Sequence, residues 1–357
     1  MGMNAFWKGR RVFMTGHTGF KGSWLSLWLQ QMGSVVHGYA LPPQTSSNLF
    51  EIANVADGMT STLADIRDRE ALESCLVDAQ PEVVFHLAAQ ALVRVSYEQP
   101  IDTFATNVMG TAHLLDSVRR IPSVRAVVVV TSDKCYENRG SNRGFVESDA
   151  MGGFDPYSSS KGCAELVSAA YRNSYFSPDR HSHHRVGLSS ARSGNVIGGG
   201  DWSLDRLIPD IIRAIESGHP ARIRNPHAIR PWQHVLEPLS GYLLLAERLI
   251  TDGHSFAESW NFGPVEHDAK PVGWVANKLT ELWGEGASWK IDSEEHPHEA
   301  QFLRLDITKA KQRLGWCPRW PLEHSLTAII DWHRSSARGH DMRAKTVSQI
   351  AEFQACR

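Results

Sequence analysis

Several protein classes are excluded by what this chain has little of. It carries only five cysteines, Cys75, Cys135, Cys163, Cys317 and Cys356, and no Cys-x-x-Cys pair. An odd, scattered set is neither a disulfide framework nor a zinc ribbon, and it fits a reducing compartment such as the cytoplasm. Apolar runs such as Ala126 to Val130 are far shorter than the roughly 20 residues a bilayer-spanning helix needs. Arg10 and Arg11 lead straight into a short apolar strand, so no targeting segment is expected. Neither charge sign dominates. Lys plus Arg number 37 against 39 Asp plus Glu, for a net charge of −2, which offers no electrostatic basis for binding nucleic acid or a membrane surface.

What is present is an ordinary globular balance, with 42% hydrophobic and 21% charged residues, which excludes extensive disorder. A length of 357 residues suits one large domain and a smaller lobe. Twelve tryptophans are present, nine of them from Trp202 onward, with Trp232, Trp260, Trp316 and Trp332 among them, and these read as core and interface packing. His181, His183 and His184 lie in a polar stretch without carboxylates at ligand spacing, so a solvated loop is expected there and no metal site.

The first half alternates strand and helix signals. Arg11 to Thr15, Val35 to Tyr39, Met59 to Ala64, Glu82 to Ala88, Ala126 to Val130 and Val186 to Ala191 read as strands. Between them, Phe20 to Met32, Arg67 to Ala79 and Ile101 to Arg120 read as helices. Continuous β-branched runs such as Val127-Val-Val-Val130 are what a parallel sheet covered on both faces requires. The expected class is α/β: a Rossmann-type doubly wound parallel sheet with a smaller α/β C-terminal substrate lobe. Residues 1–195 and about 233–265 are assigned to the dinucleotide-binding domain. About 196–232 and 266–340 are assigned to the lobe, and 341–357 to a loosely held polar tail.

The first strand runs into Thr15-Gly16-His17-Thr18-Gly19-Phe20-Lys21-Gly22. Gly16 permits the tight turn, Gly19 lets the backbone approach a pyrophosphate, and Gly22 lets the helix pack closely. Amides at the helix start then face the anion. No acid for a ribose hydroxyl follows the second strand, where Gly38-Tyr-Ala-Leu-Pro-Pro43 stands, and no Arg for a 2′-phosphate. The pattern therefore leaves NAD against NADP open. Asp65 is either a partner for the adenine amino group or a helix cap.

Asp155-Pro156 is a good helix start, and it puts Tyr157 and Lys161 four residues apart on one helical face. An ammonium near a phenol favours the phenolate, which can then take a proton from a sugar hydroxyl. The buried strand ends in Thr131-Ser132-Asp133-Lys134, at the sheet end where ligands bind in this architecture. An acid and a base beyond the oxidation site exceed what a simple dehydrogenase needs.

Together these residues resemble the extended short-chain dehydrogenase/reductases over essentially the whole chain. The resemblance also rests on His86-Leu-Ala-Ala-Gln90, Asn107 in Thr106-Asn-Val-Met-Gly-Thr111, and Ala191-Arg-Ser-Gly-Asn195. The stretches GHTGFKGSWL, TSDKCYEN and GNVIGGGDW look most like the CDP-D-glucose 4,6-dehydratase group, in which Lys134 stands where dTDP-glucose relatives carry Glu. His17 replaces a small apolar residue, which suggests an exchangeable rather than permanent NAD.

The resemblance implies a lyase that uses NAD and is redox-neutral. NAD+ oxidises the sugar at C4, with Tyr157 as base, Lys161 lowering its pKa and Ser132 positioning the hydroxyl. Lys134, if burial depresses its pKa, removes the acidified C5 proton; otherwise it stays charged and stabilises the enolate. Asp133 protonates the departing C6 hydroxyl, and hydride returns to C6. Cofactor contacts are implied for Gly16, His17, Thr18, Gly19, Phe20, Gly22, Asp65, Ile66, Leu87, Ala88, Ala89, Asn107, Thr131, Tyr157 and Lys161. Substrate contacts are implied for Gln90, Asn195, Arg206, Leu207, Ile208, Arg230 and Glu299, with Arg230 foremost on the pyrophosphate. The implied substrate is CDP-D-glucose and the implied assembly a homodimer or homotetramer. A dTDP- or GDP-sugar dehydratase, or a 4-epimerase or 4-ketoreductase on the same scaffold, remains the alternative.

Overall fold

The computed structural model describes residues 3–140, 143–294 and 303–356. Glu299 lies outside the described residues. Seven parallel strands form the central sheet: β1 (Arg11–Thr15), β2 (Val35–Ala40), β3 (Thr60–Leu63), β4 (Val83–His86), β5 (Ala126–Val130), β6 (Gly187–Arg192) and β7 (Ser259–Asn261). Their spatial order is β7-β6-β5-β4-β1-β2-β3. The order reverses between β1 and β4, which opens a crevice at the strand C-termini. Thr15 pairs in register with Tyr39 on one side and His86 on the other.

The apolar run Ala126–Val130 is buried at every position. Ala126, Val128 and Val130 enter one core, with Trp24, Trp28 and Trp260. Val127 and Val129 enter the other, with Leu72, Leu114 and Leu188. That split is the period-two geometry of a strand covered on both faces.

The helical stretch expected over Ile101 to Arg120 begins at Pro100, continues through a π turn at Ala105–Met109 and ends at Val118. A third apolar cluster, with Ile208, Ile212, Trp232, Leu279 and Ile329, lies under the smaller lobe.

The expectation of a loose polar tail is corrected. Leu322–Ala337 and Met342–Ala355 are helices, and the Asp341 side chain caps the second by accepting from the Ala344 N–H. Ile350 and Phe353 are fully buried, with the Phe353 ring edge-on to Trp28 at 5.8 Å. The segment is polar outward and apolar inward, so composition alone hid an amphipathic helix. Among the described residues, no helix is long and apolar enough to cross a membrane.

Candidate active site

A cavity of about 1800 Å³ lies over the C-terminal ends of β1, β4, β5 and β6. Cavities that hold one drug-sized ligand run roughly 300–1,000 Å³. This one has room for a dinucleotide and a nucleotide sugar together.

The glycine turn forms one wall. Gly16 has φ +78°, and a Cβ there would lie 2.7 Å from the Ala88 nitrogen. A Cβ on Gly22 would lie 2.1 Å from the Gly16 carbonyl oxygen, so the close contact is helix to turn rather than helix to sheet. Gly19 begins the helix Phe20–Gln31 without a side-chain cap, which leaves the first-turn amides free of internal side-chain partners. Thr15 Oγ1 is 2.7 Å from His86 Nδ1 and accepts from the Ala88 N–H at 3.1 Å. This strut fixes the Leu87–Gln90 wall against the turn. These features fit an anionic dinucleotide.

Not every implied cofactor residue faces the cavity. The His17 ring turns beneath the loop, where its Nε2 lies 2.7 Å from Ser61 Oγ and its edge meets Phe50. Burial lowers its pKa to about 4, so it is neutral. Asn107 is also off the cavity. It is buried, accepts from the Gln90 N–H at 2.8 Å and donates to the Gln90 carbonyl and to Ser160. The Gln90 side chain is spent on Leu92 and Thr103, and that of Thr131 on Glu165. Asp65 is neither free nor the helix cap. It pairs with Arg67 at 2.7 Å, while Asp68 caps Arg69–Ala79.

The catalytic candidates do converge. Asp155 caps Pro156–Ser174 by accepting from the Ser158 N–H at 2.9 Å, and Tyr157 follows in the first turn. Ser132, Asp133, Lys134, Tyr157 and Lys161 all line the cavity. Ser132 Oγ donates to Asp133 Oδ1 at 3.0 Å and accepts from the Lys134 N–H. Behind them a buried ion pair, Arg192 to Glu165 at 2.7 Å, ties β6 to the Tyr157 helix. Arg192 also donates to the Tyr136 hydroxyl, which anchors the turn after Asp133.

One electrostatic expectation needs correction. Burial pushes the Tyr157 phenol up to about 12 against the pull of Ser132, while Lys161 is turned to the Val130 carbonyl at 3.4 Å. Desolvation therefore outweighs the ammonium, which burial itself lowers to about 8. Lys134 is exposed on the cavity wall. Asp133 is 2% exposed, and burial raises its pKa, offset in part by Lys134, Ser132, Lys21 and Arg230. A carboxyl whose pKa burial raises suits a general acid.

On the lobe side, Asn195, Arg206, Leu207, Ile208 and Arg230 line the same cavity. Arg206 pairs with Asp201 at 3.1 Å, and Asn195 adopts a left-handed φ of +48°.

Sequence reasoning missed Lys21. Its Nζ donates to Ser193 Oγ at 3.0 Å, and Ser193 lies 2.6 Å from the Tyr242 hydroxyl. Burial, then Arg206 and Lys161, bring its pKa down to about 7. The signal was a lysine inside the glycine turn.

The model of the GDP-mannose 4,6-dehydratase family matches residues 13–329. The chain belongs to this family. It is 57% identical over 348 residues to a CDP-glucose 4,6-dehydratase of Salmonella typhimurium, covering 98% of this chain and 97% of that protein. Among solved structures, MoeE5 in complex with UDP-glucose and NAD is 26% identical with a TM-score of 0.73, covering 91% and 99% of the two chains. A dTDP-glucose 4,6-dehydratase of Bacillus anthracis in complex with NAD shares the fold at TM-score 0.74 and 22% identity, covering 93% and 99%. The family's cofactor, NAD, fits the glycine turn and the volume described above.

Proposed function

We propose that this protein is an NAD-dependent 4,6-dehydratase converting CDP-D-glucose to CDP-4-keto-6-deoxy-D-glucose. The observation that carries the reading is the convergence of Tyr157, Ser132 and Asp133 on one cavity wall, in a chain 57% identical to a CDP-glucose 4,6-dehydratase. When bound, NAD supplies hydride acceptance at C4 and hydride return at C6, and its positive ring favours the phenolate of Tyr157.

Tyr157 takes the proton of the C4 hydroxyl, which Ser132 orients. The resulting ketone acidifies C5–H, whose proton passes to a water in the cavity and is replaced from water as hydride reaches C6. Asp133, whose pKa burial raises, delivers a proton to the C6 oxygen as water leaves. Lys134, exposed on the cavity wall, stabilises the enolate and counters the carboxylate that Asp133 becomes. Arg230 and Arg206 hold the nucleotide pyrophosphate. The Asp133–Lys134 pair favours elimination over simple epimerisation, which needs no acid beyond C4.

Self-association belongs to the same reading. Ile101 is 79% exposed and Met109 51% exposed on one helical segment, and Leu166 is 60% exposed on the Tyr157 helix, an apolar area suited to a second copy.

The test is turnover with NAD+ and each of CDP-, dTDP-, UDP- and GDP-glucose, scored by the alkali absorbance of the 4-keto-6-deoxy product. CDP-glucose should react best. Preference for another nucleotide would retain the dehydratase and reject the CDP assignment, whereas epimerised sugar without keto product would reject dehydration.

A further inference from the structure

The cavity wall at Leu87–Gln90 is gripped at two points by side chains that do not themselves line the cavity. At one end, Thr15 Oγ1 accepts from the Ala88 N–H at 3.1 Å. At the other, Asn107 accepts from the Gln90 N–H at 2.8 Å and donates to the Gln90 carbonyl at 3.0 Å. The Asn107 amide also donates to Ser160 Oγ at 2.8 Å, and the Ser160 hydroxyl donates to the Tyr157 carbonyl at 2.7 Å. The second grip therefore also holds the first turn of the helix that carries Tyr157.

His86, the last residue of β4 and 2% exposed, stands between the two grips. Its Nδ1 lies 2.7 Å from Thr15 Oγ1 and its Nε2 3.0 Å from Thr111 Oγ1. Burial, then the charge of Lys161, lowers its pKa to about 3, so the ring is neutral. The position of its one proton follows from the partners. The Thr111 hydroxyl donates to the Asn107 carbonyl at 2.7 Å, so it accepts from His86 Nε2–H. Nδ1 is then bare and takes the Thr15 proton, while Thr15 Oγ1 stays open to the Ala88 N–H. The bonds run one way, from the Ala88 N–H through Thr15, His86 and Thr111 to the Asn107 carbonyl. They cross from the sheet to the π turn at Ala105–Met109.

We infer that His86 is a positioning residue for hydride transfer: as the neutral Nε2–H tautomer it locks the Leu87–Gln90 wall to the Asn107–Ser160 mount of Tyr157. This rests on the dehydratase reading above. The wall lies on the cofactor side of the cavity, and Tyr157 serves the C4 hydroxyl. Their spacing decides whether both reach one carbon, and a misplacement of about 1 Å costs on the order of a hundredfold in rate. An imidazolium could not serve, because a proton on Nδ1 would leave the Thr15 hydroxyl with no acceptor.

Two measurements test this. Nitrogen-15 NMR of histidine-labelled protein without nucleotide or sugar, with His86 assigned by its loss in His86→Gln, should show the Nε2–H tautomer, uncharged down to about pH 5. The Nδ1–H tautomer or an imidazolium would overturn the inference. The second measurement is kcat at saturating NAD+ and CDP-glucose in Thr15→Val, Thr111→Val and the double variant. Each single variant should lose roughly ten- to hundredfold in kcat with little change in the sugar KM. The double variant should lose little more than the worse single one, since the run is already broken. Thr111→Ser keeps the hydroxyl and should recover most of the loss. Unchanged kcat in the single variants, losses that multiply in the double, or Thr111→Ser as slow as Thr111→Val would overturn the inference. Urea denaturation confirms that each variant is folded; if Thr111→Val is not, Thr15→Val against Thr15→Ser answers the same question. Absence of keto product from wild type would instead reject the dehydratase reading, which the tautomer measurement does not depend on.

Discussion

Gly194 leaves no room for a side chain against Asp133: a Cβ there would lie 1.6 Å from Oδ2 and 2.0 Å from Cγ. The glycine in the Ser193-Gly194-Asn195 turn is thus a seat for the carboxyl assigned as general acid. Gly194→Ala must push that carboxyl aside, because the backbone cannot yield at the tip of β6. Keto product should fall by roughly 10²–10⁴-fold, the usual loss of a general acid. NAD binding and the far-ultraviolet circular dichroism should be retained. Near-normal turnover in this variant would show that Asp133 does not act from the observed position.

A second close approach lies beneath the glycine turn. A Cβ on Gly38 would sit 2.3 Å from His17 Cγ, so the imidazole occupies the space that a glycine on β2 leaves open. Gly38→Ala should cost roughly 1–3 kcal/mol of stability by overpacking. In a His17→Gly background the same change should cost much less. A urea-denaturation double-mutant cycle measures the difference; additive costs would mean the two residues do not share that space.

Lys21 provides a pH-dependent prediction. Its pKa is lowered to about 7, so it gains its charge as pH falls through neutrality, in a cavity that already holds Lys161 and Arg206. NAD+ carries one more positive charge than NADH. The protonated amine therefore disfavours the oxidised form relative to the reduced one. The ratio of the NAD+ Kd to the NADH Kd should rise as pH drops from 8 to 6, by up to roughly tenfold for charges several ångströms apart at intermediate dielectric. In Lys21→Met the rise should be smaller, leaving only the part due to Lys161, whose pKa is lowered to about 8. Titrations by NADH fluorescence and competition would reveal it, and an identical pH dependence in the variant would refute the assignment.

Much of this was legible in the chain, and the exceptions have physical causes. The five-residue run Ala126–Val130 could only be a strand buried on both faces, and Asp155-Pro156 could only start a helix carrying Tyr157 and Lys161. Those signals are local. The Tyr157 pKa is not local: it depends on burial and on Ser132 and Asp133, 25 and 24 positions away in sequence. The Lys21 environment is built by Ser193 and Tyr242 from distant elements. The closing helix Met342–Ala355 escaped because Ile350 and Phe353 are few among polar residues, although Asp341 offered a cap signal. Both roles for Lys134 stayed open in the sequence because its exposure is set by the short turn at Asp133–Cys135, which leaves it at the surface.

The central claim is that one sugar gives up hydride at C4 and regains it at C6 inside a single closed cycle. CDP-D-glucose labelled with deuterium at C4 tests this most directly. With wild type and NAD+, the account predicts product carrying the deuterium in its C6 methyl group, seen by proton NMR and mass spectrometry. A product with an unlabelled methyl group, or deuterium released on free NADH, would contradict it.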